Sequence, residues 1–350
     1  MAEKVLLKGN EALAEAALRA GCRCYFGYPI TPQSEIAAYM AKMMPKLGGT
    51  FIQAESEIAA INMVLGASAA GARAMTSSSS PGISLKAEGI SYIAGSDLPA
   101  VIVNIQRGGP GLGGIQPAQS DYWQTVKGIA HGDFRMVVLA PANLQELVDL
   151  TARAFDLADG YRMPVMILGD GMLGQMMEPV ELPELAYAPK PKPWAADGTR
   201  GTRPRNIINS LYIKPEELER LVIERFKRYA VIEKNEVRYE EFMANDADVL
   251  VVAYGSSARI SKSAVLEARK QGIKAGLFRP ITLWPFPNDA LFEVSKPVKA
   301  LVCAEMSMGQ MIDDVRLATR CAKPVTLAGR TGGIVTTPEE IFAKIKEAGE

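Results

Sequence analysis

A single histidine, His131, and four cysteines stand in 350 residues. The cysteines are Cys22, Cys24, Cys303 and Cys321, and no two have CxxC spacing. Iron–sulfur clusters and structural zinc need several thiolates grouped closely. A cluster on this chain is therefore not expected, and one imidazole excludes a histidine-rich metal site. Charge of one sign is also missing. Lys plus Arg number 39 and Asp plus Glu number 39, so no basic excess exists to neutralise nucleic-acid phosphates. No apolar run approaches the roughly 18 residues of a membrane span. The opening stretch MAEKVLLKGNEALAEAALRAG is interrupted by Glu11, Glu15 and Arg19. It reads as an amphipathic helix, not a secretory signal, and a soluble cytoplasmic protein is expected. No G-x-x-x-x-G-K-[ST] loop and no G-x-S-x-G elbow occur. Those two absences remove the commonest triphosphate site and the serine nucleophile of the hydrolases.

What is present is a cadence. Gly9–Ala20 reads as a helix with Asn10 near its cap, followed by a short strand at Cys22–Gly27. A helix from Ser34, a strand at Thr50–Gln53 and a helix at Ser56–Ala70 come next. Then follow a strand at Ala72–Thr76, a helix at Ser80–Ala94 and a strand at Ala100–Gln106. MVVLAPANLQELVDLTARAFDLADGYRMPVMILGDG adds strand, helix and strand. Such alternation builds a mostly parallel sheet covered on both faces. Ligands of such sheets gather beyond the carboxyl ends of the strands. Pro29–Gln33, Glu55–Glu57, Ser77–Gly82 and Gln106–Gly114 all follow predicted strands, so they converge there. After Leu182, PELAYAPKPKPWAADGTRGTRPRN reads as a linker or a partner-wrapping arm, and Pro215–Phe242 as a charged connector helix. A second, smaller α/β domain begins near Asp246, with ITLWPFP as a proline-rich turn. The boundaries drawn are 1–182, 183–245 and 246–350.

Several residues stand out as chemistry. Glu57 lies in the first turn of a helix, where a carboxylate is favoured for the dipole alone, yet small neighbours leave room for a planar ligand. Arg107 opens the glycine run GGPGLGG, and an arginine fork fits a carboxylate with two parallel hydrogen bonds. Ser77–Ser80 present hydroxyls and amides but no histidine to activate them. Gly255-Ser256-Ser257 exposes amides at a helix start, suited to an anion or simply to a tight turn. An imidazole titrates near neutrality, so His131 could be catalytic, but it sits between loop glycines, where a structural role is the commoner one. Cys22 and Cys24 read as packing residues.

GYPITPQSE, QAESEIAAINMVLGASAAGARAMTSSSSPGISL and QRGGPGLGGIQPAQSDYWQ, in this order, resemble the alpha subunit of the 2-oxoacid:ferredoxin oxidoreductases. The 3-methyl-2-oxobutanoate (2-oxoisovalerate) branch is the nearest in pattern. The resemblance spans nearly the whole chain. It implies an α/β fold with a thiamine-diphosphate-binding-like parallel sheet domain, followed by a transketolase C-terminal-like domain. It implies thiamine diphosphate held between two subunits. The beta subunit would supply the diphosphate and Mg2+ site, and iron–sulfur clusters would sit on beta and on a ferredoxin-like delta subunit beside a gamma subunit. Gly169-Asp170-Gly171 copies the opening of a magnesium–diphosphate motif, but its asparagine partner is absent from PKPWAADGTRG, so no metal is assigned to Asp170. Residue by residue, Glu57 matches the glutamate that hydrogen-bonds the pyrimidine nitrogen, where a raised pKa would help it share a proton. Thr31 matches the hydroxyl near the reactive carbon, and Arg107 the grip on the substrate carboxylate. Tyr28 and Pro29 are implied to shape the pocket, and Ser78, Ser79 and Ser80 to line the cofactor side. The reaction implied is CoA-dependent oxidative decarboxylation of a 2-oxo acid with reduction of ferredoxin. A pyruvate or 2-oxoglutarate enzyme, or a non-catalytic scaffold subunit, are the alternatives.

Overall fold

The computed structural model describes residues 4–185, 190–199 and 201–350. Parts of the expected linker, residues 186–189 and 200, lie outside the described residues. The first half contains β1 (Lys4–Lys8), α1 (Gly9–Arg19), β2 (Cys24–Gly27), α2 (Ser34–Met43), β3 (Thr50–Gln53) and α3 (Glu57–Ala69). It continues through β4 (Ala74–Ser78), α4 (Ser80–Gly95), β5 (Ala100–Gln106), α5 (Tyr122–Val126), β6 (Val137–Leu139) and α6 (Leu144–Tyr161). Then come β7 (Pro164–Asp170), α7 (Gly171–Gln175), β8 (Met177–Glu181) and α8 (Pro215–Asn235). The remainder holds β9 (Tyr239–Phe242), β10 (Val249–Ala253), α9 (Gly255–Lys270), β11 (Ala275–Pro280) and β12 (Thr282–Trp284). It ends with α10 (Asn288–Ser295), β13 (Ala300–Glu305), α11 (Met311–Ala318), β14 (Val325–Gly329) and α12 (Pro338–Gly349).

The strands form a seven-stranded sheet in the order β12-β6-β7-β5-β4-β2-β3, parallel except for β12. β5 and β7 run through its centre as AVIVNIQ and PVMILGD, buried at every position. Such unbroken apolar runs belong to strands covered on both faces. Right-handed crossovers fix which helix covers which face. The step from β2 to β3 and the step from β3 to β4 run in opposite directions, so α2 and α3 fall on opposite sides. α4 joins α3, and α6 joins α1 and α2, which matches the helix pairs in contact. A second sheet, β14-β13-β10-β11-β9, is parallel apart from its edge strand β9.

Five local readings are corrected. Lys4–Lys8 is not helical; it pairs antiparallel with β8. Asn10 does not cap α1. It is buried inside the first turn, donating to the Pro32 carbonyl at 2.7 Å and to Glu35 Oε2 at 2.8 Å. The connector helix stops at Asn235, and Tyr239–Phe242 becomes a strand because the second sheet offers β11 an edge partner. The proline-rich ITLWPFP stretch contributes β12, which crosses to the first sheet and pairs with β6. α8 is more than a solvated connector, since it buries Arg225, Tyr229 and Ile232.

The two halves are clipped together beside β5. The Gln119 side chain donates to the Tyr254 carbonyl at 3.0 Å and accepts from Ser257 Oγ at 2.6 Å and Met306 N at 3.0 Å. A buried amide with its partners satisfied fixes geometry as well as adding stability. The loop that carries Arg107 is thereby fastened to the carboxyl ends of β10 and β13.

Candidate functional site

β3, β2, β4 and β5 are consecutive neighbours in the sheet and run parallel. Their carboxyl ends lead into Glu55–Glu57, Tyr28–Pro32, Ser79–Gly82 and Arg107. The chain leaves β2 for β3 on one side and returns to β4 on the other. That reversal is the switch point at which open α/β sheets bind ligands.

Glu57 begins α3. Ser56 caps the helix, its Oγ accepting from Ala59 N at 3.1 Å, so Glu57 is not needed as the cap. Glu57 is only 5 % exposed, whereas Glu55 points to solvent. α4 reaches Glu57 through Gly82. A Cβ there would collide with Ser78 Oγ and lie 2.6 Å from Glu57 Oε1. Glu57 and Ser78 thus meet over one glycine. Gly82→Ala is expected to cost about 1–3 kcal/mol of stability by overpacking and to displace the carboxylate. Thermal melting of the purified protein checks the cost, and a crystal structure of the variant checks the displacement.

Ser78 Oγ and Ser79 Oγ are buried without a hydrogen-bond partner among the described residues, as is Arg107 Nε. Orphaned buried polar atoms are rare in folded proteins and point to an absent ligand or water. Ser80, at φ 22°, holds a strained turn. Its Oγ accepts from Arg107 N at 3.1 Å and donates to Asp121 Oδ2 at 2.6 Å. Burial raises the Asp121 carboxyl above its ordinary value, against the hydrogen bonds from Ser80 and Asn104. The Arg107 guanidinium, 9 % exposed, donates from Nη1 to the Thr31 carbonyl at 2.8 Å and from Nη2 to the Leu112 carbonyl at 3.2 Å. Thr31, Tyr28 and Pro29 are exposed along the rim. Ser77 turns inward, where its Oγ donates to Gln33 Oε1 at 2.5 Å and meets the Tyr25 hydroxyl at 2.6 Å.

Three further residues fall elsewhere. His131 is exposed and packs edge-on to Tyr92 near the end of α4, roughly 15 Å of helix from Gly82. The Asp170 carboxylate accepts from Met172 N at 2.9 Å and Leu173 N at 3.1 Å, and it also binds Ser256. The anion at the Gly255–Ser257 turn is therefore Asp170 itself. Cys22 is buried, and burial pushes its thiol up to about 12. Among the described residues, no group of three His, Cys, Asp or Glu is placed to hold a metal ion. No helix of the described residues is long and apolar enough to cross a membrane.

The family model described as pyruvate flavodoxin/ferredoxin oxidoreductase, thiamine diphosphate-binding, matches residues 15–240. The model for core domain II of pyruvate:ferredoxin oxidoreductase matches residues 247–341. The chain belongs to the alpha subunits of the 2-oxoacid:ferredoxin oxidoreductases. It is 52 % identical over 347 residues to the ketoisovalerate oxidoreductase subunit VorB of Methanothermobacter marburgensis, covering 99 % of this chain and 98 % of that protein. It is 41 % identical over 330 residues to the 2-oxoglutarate synthase subunit KorA of Archaeoglobus fulgidus, covering 91 % and 92 %. Among solved structures, the 2-oxoglutarate:ferredoxin oxidoreductase from Magnetococcus marinus superposes with a TM-score of 0.89 at 27 % identity. That match covers all of this chain and 66 % of the other. A split-gene transketolase shares the fold, with a TM-score of 0.61 at 16 % identity.

The residues that brace the site's loops do not stand out in the sequence. Gly82 lets α4 approach Glu57. Gln33, Asn104 and Asp121 hold the loops that carry Thr31, Ser80 and Arg107. Lys86, fully buried, lies beneath Glu57.

Proposed function

We propose that this chain is the alpha subunit of a complex that oxidatively decarboxylates 2-oxoisovalerate and related branched 2-oxo acids to acyl-CoA, passing electrons to ferredoxin. The observation that carries the substrate class is a cavity of about 620 Å³ beside Thr31, walled by Ile115, Pro117, Met172 and Val335. Among the described residues, Glu35 is its one charged wall residue. Burial opposes ionisation of Glu35, but hydrogen bonds from Gln175 and Asn10 and the charge of Lys8 hold its carboxyl below the ordinary value. A mostly apolar cavity with no cation among its described lining residues suits a branched side chain and offers a distal carboxylate no partner. End-to-end identity to a ketoisovalerate oxidoreductase subunit supports the same choice.

Thiamine diphosphate, when bound, supplies the electron sink for loss of carbon dioxide. Glu57 would face its pyrimidine ring and hold or release a proton at the ring nitrogen. The unpartnered hydroxyls of Ser78 and Ser79 fit a polar ring edge, and Arg107, braced between two loops, would orient the substrate carboxylate. Mg2+ and the iron–sulfur clusters are assigned to partner subunits. Ile52, Ile58 and Leu85, which are 41 %, 51 % and 51 % exposed, surround Glu57 on β3, α3 and α4. Apolar surface beside half a site is what a beta subunit would cover while excluding water. Gamma and delta subunits complete the proposed complex.

Viologen reduction by the anaerobically purified complex, with CoA and a panel of 2-oxo acids, tests this. We expect kcat/KM for 2-oxoisovalerate to exceed that for pyruvate by at least about tenfold, with 2-oxoglutarate a poor substrate. A preference for either competitor would overturn the specificity and leave the mechanism. No reduction with any acid, in a complex holding its cofactor and clusters, would favour the scaffold reading.

A further inference from the structure

α4 carries Gly82, Lys86 and Gly89 four and three residues apart, a spacing that puts them on one stripe of the helix. The stripe faces α3. A Cβ at Gly82 would strike Ser78 and Glu57, and one at Gly89 would strike Ile61. The two glycines draw the helices together and leave Lys86 in the seam between them. Lys86 is 0 % exposed, and its Nζ lies 3.5 Å from the Glu57 carbonyl oxygen. Among the described residues that is the one oxygen within hydrogen-bond reach of the ammonium. An ammonium has three donors to satisfy, so packing alone is a poor reason for a lysine here. Methionine is similar in length and would fill the seam without burying a charge.

The elements around Lys86 supply one counter-charge. α3 contributes Glu57 and no other ionisable side chain; β5 has none; β7 has only Asp170, which is engaged with α7 and Ser256. Glu88, on α4 itself, is exposed and bonds Tyr92. We propose that Lys86 is a positioning residue for Glu57: its buried ammonium anchors the first turn of α3 and holds the Glu57 carboxylate, with a positive charge behind it, facing the cofactor. This rests on Glu57 facing thiamine diphosphate, as argued above. Burial pushes the ammonium from its ordinary 10.5 to about 8, against the attraction of Glu57. Its charge therefore changes on the alkaline side of neutrality.

The test uses the full complex with bound thiamine diphosphate and reads the near-ultraviolet circular dichroism of the cofactor's imino form across pH. In Lys86→Met, loss of the neighbouring positive charge is expected to raise the acid-side midpoint of that band by about one pH unit. The alkaline step expected in the wild type near pH 8 is expected to vanish. Thermal melting separates this role from a structural one. Between pH 8 and 10.5 the unfolded chain binds the lysine proton that the folded chain has released. Lys86 therefore penalises the fold at neutral pH, and the penalty fades as pH rises through that window. Lys86→Met keeps the seam filled and should melt no lower than wild type, whereas Lys86→Ala empties the seam and should melt lower, so the melting point follows packing while the band midpoint follows the charge. An unmoved midpoint and a surviving alkaline step in Lys86→Met overturn the proposal. Should that variant fail to assemble, the wild-type titration decides, and absence of an alkaline step counts against it. Glu57→Gln separates the two levels. If it leaves the band intact, the underlying cofactor reading fails; if it removes the band while Lys86→Met leaves the midpoint unmoved, only the Lys86 proposal fails.

Discussion

In the assembled complex, Glu57→Gln is expected to lower kcat by about 10²–10⁴, the range lost with a positioned proton-transfer group. The substitution keeps the shape of the side chain and removes its charge and its ability to take up and release a proton. Ser56 caps α3, so the helix start does not depend on Glu57. Gly82 leaves free the space beside Oε1 that a Cβ would fill, so an amide of the same shape fits there as well. Among the described residues, Glu57 is also the one counter-charge near Lys86, so the melting temperature should fall by what that unpaired ammonium costs, while turnover collapses and thiamine diphosphate should still bind. Steady-state viologen reduction, paired with cofactor titration by calorimetry, provides the check. Turnover close to wild type would remove Glu57 from the mechanism. A large fall in cofactor affinity with kcat intact at saturation would make it a binding residue only.

The sheet and its carboxyl-end loops were legible because their determinants are local. Thr50–Gln53 and Ala100–Gln106 were bounded as the structure has them, since β-rich runs end at Gly, Pro or polar residues. Glu57, Arg107 and Ser80 were placed on adjacent loops by the rule that strand ends converge. What the sequence concealed depends on partners far away in the chain. β9 and β12 are short and look like helix tail and turn, and they become strands only because β11 and β6 present open edges. Asn10 looks like a cap by residue type, but its side chain is drawn inward by Pro32 and Glu35, more than twenty residues on. The Gly255–Ser257 turn invites an anion, and only the three-dimensional fold shows Asp170 supplying it. Lys86 carried a signal that went unread: a lysine between two glycines on one helix stripe is a charge committed to a close helix contact.

Arg107→Met is expected to lower kcat/KM for the 2-oxo acid by at least about thirtyfold, the lower end of what truncating one partner of a buried charged hydrogen-bond pair loses. Two roles have to be separated. The guanidinium braces the site by donating to the carbonyls of Thr31 and Leu112, and it is also the proposed partner of the substrate carboxylate. Nε is buried without a partner among the described residues, so the group is not exhausted by its bracing bonds. If Arg107 only braced, its loss would loosen the Thr31 loop, lowering the melting temperature and kcat for every substrate alike. If it also grips the carboxylate, KM should rise for all 2-oxo acids while the affinity for thiamine diphosphate stays near wild type. Arg107→Lys sharpens the distinction, because it keeps the charge and loses the planar fork. A lysine that restores KM but not the melting temperature would assign the carboxylate to charge and the loop geometry to the fork. KM unchanged in both variants would leave Arg107 as a brace, and the substrate carboxylate would then have to be bound by another subunit.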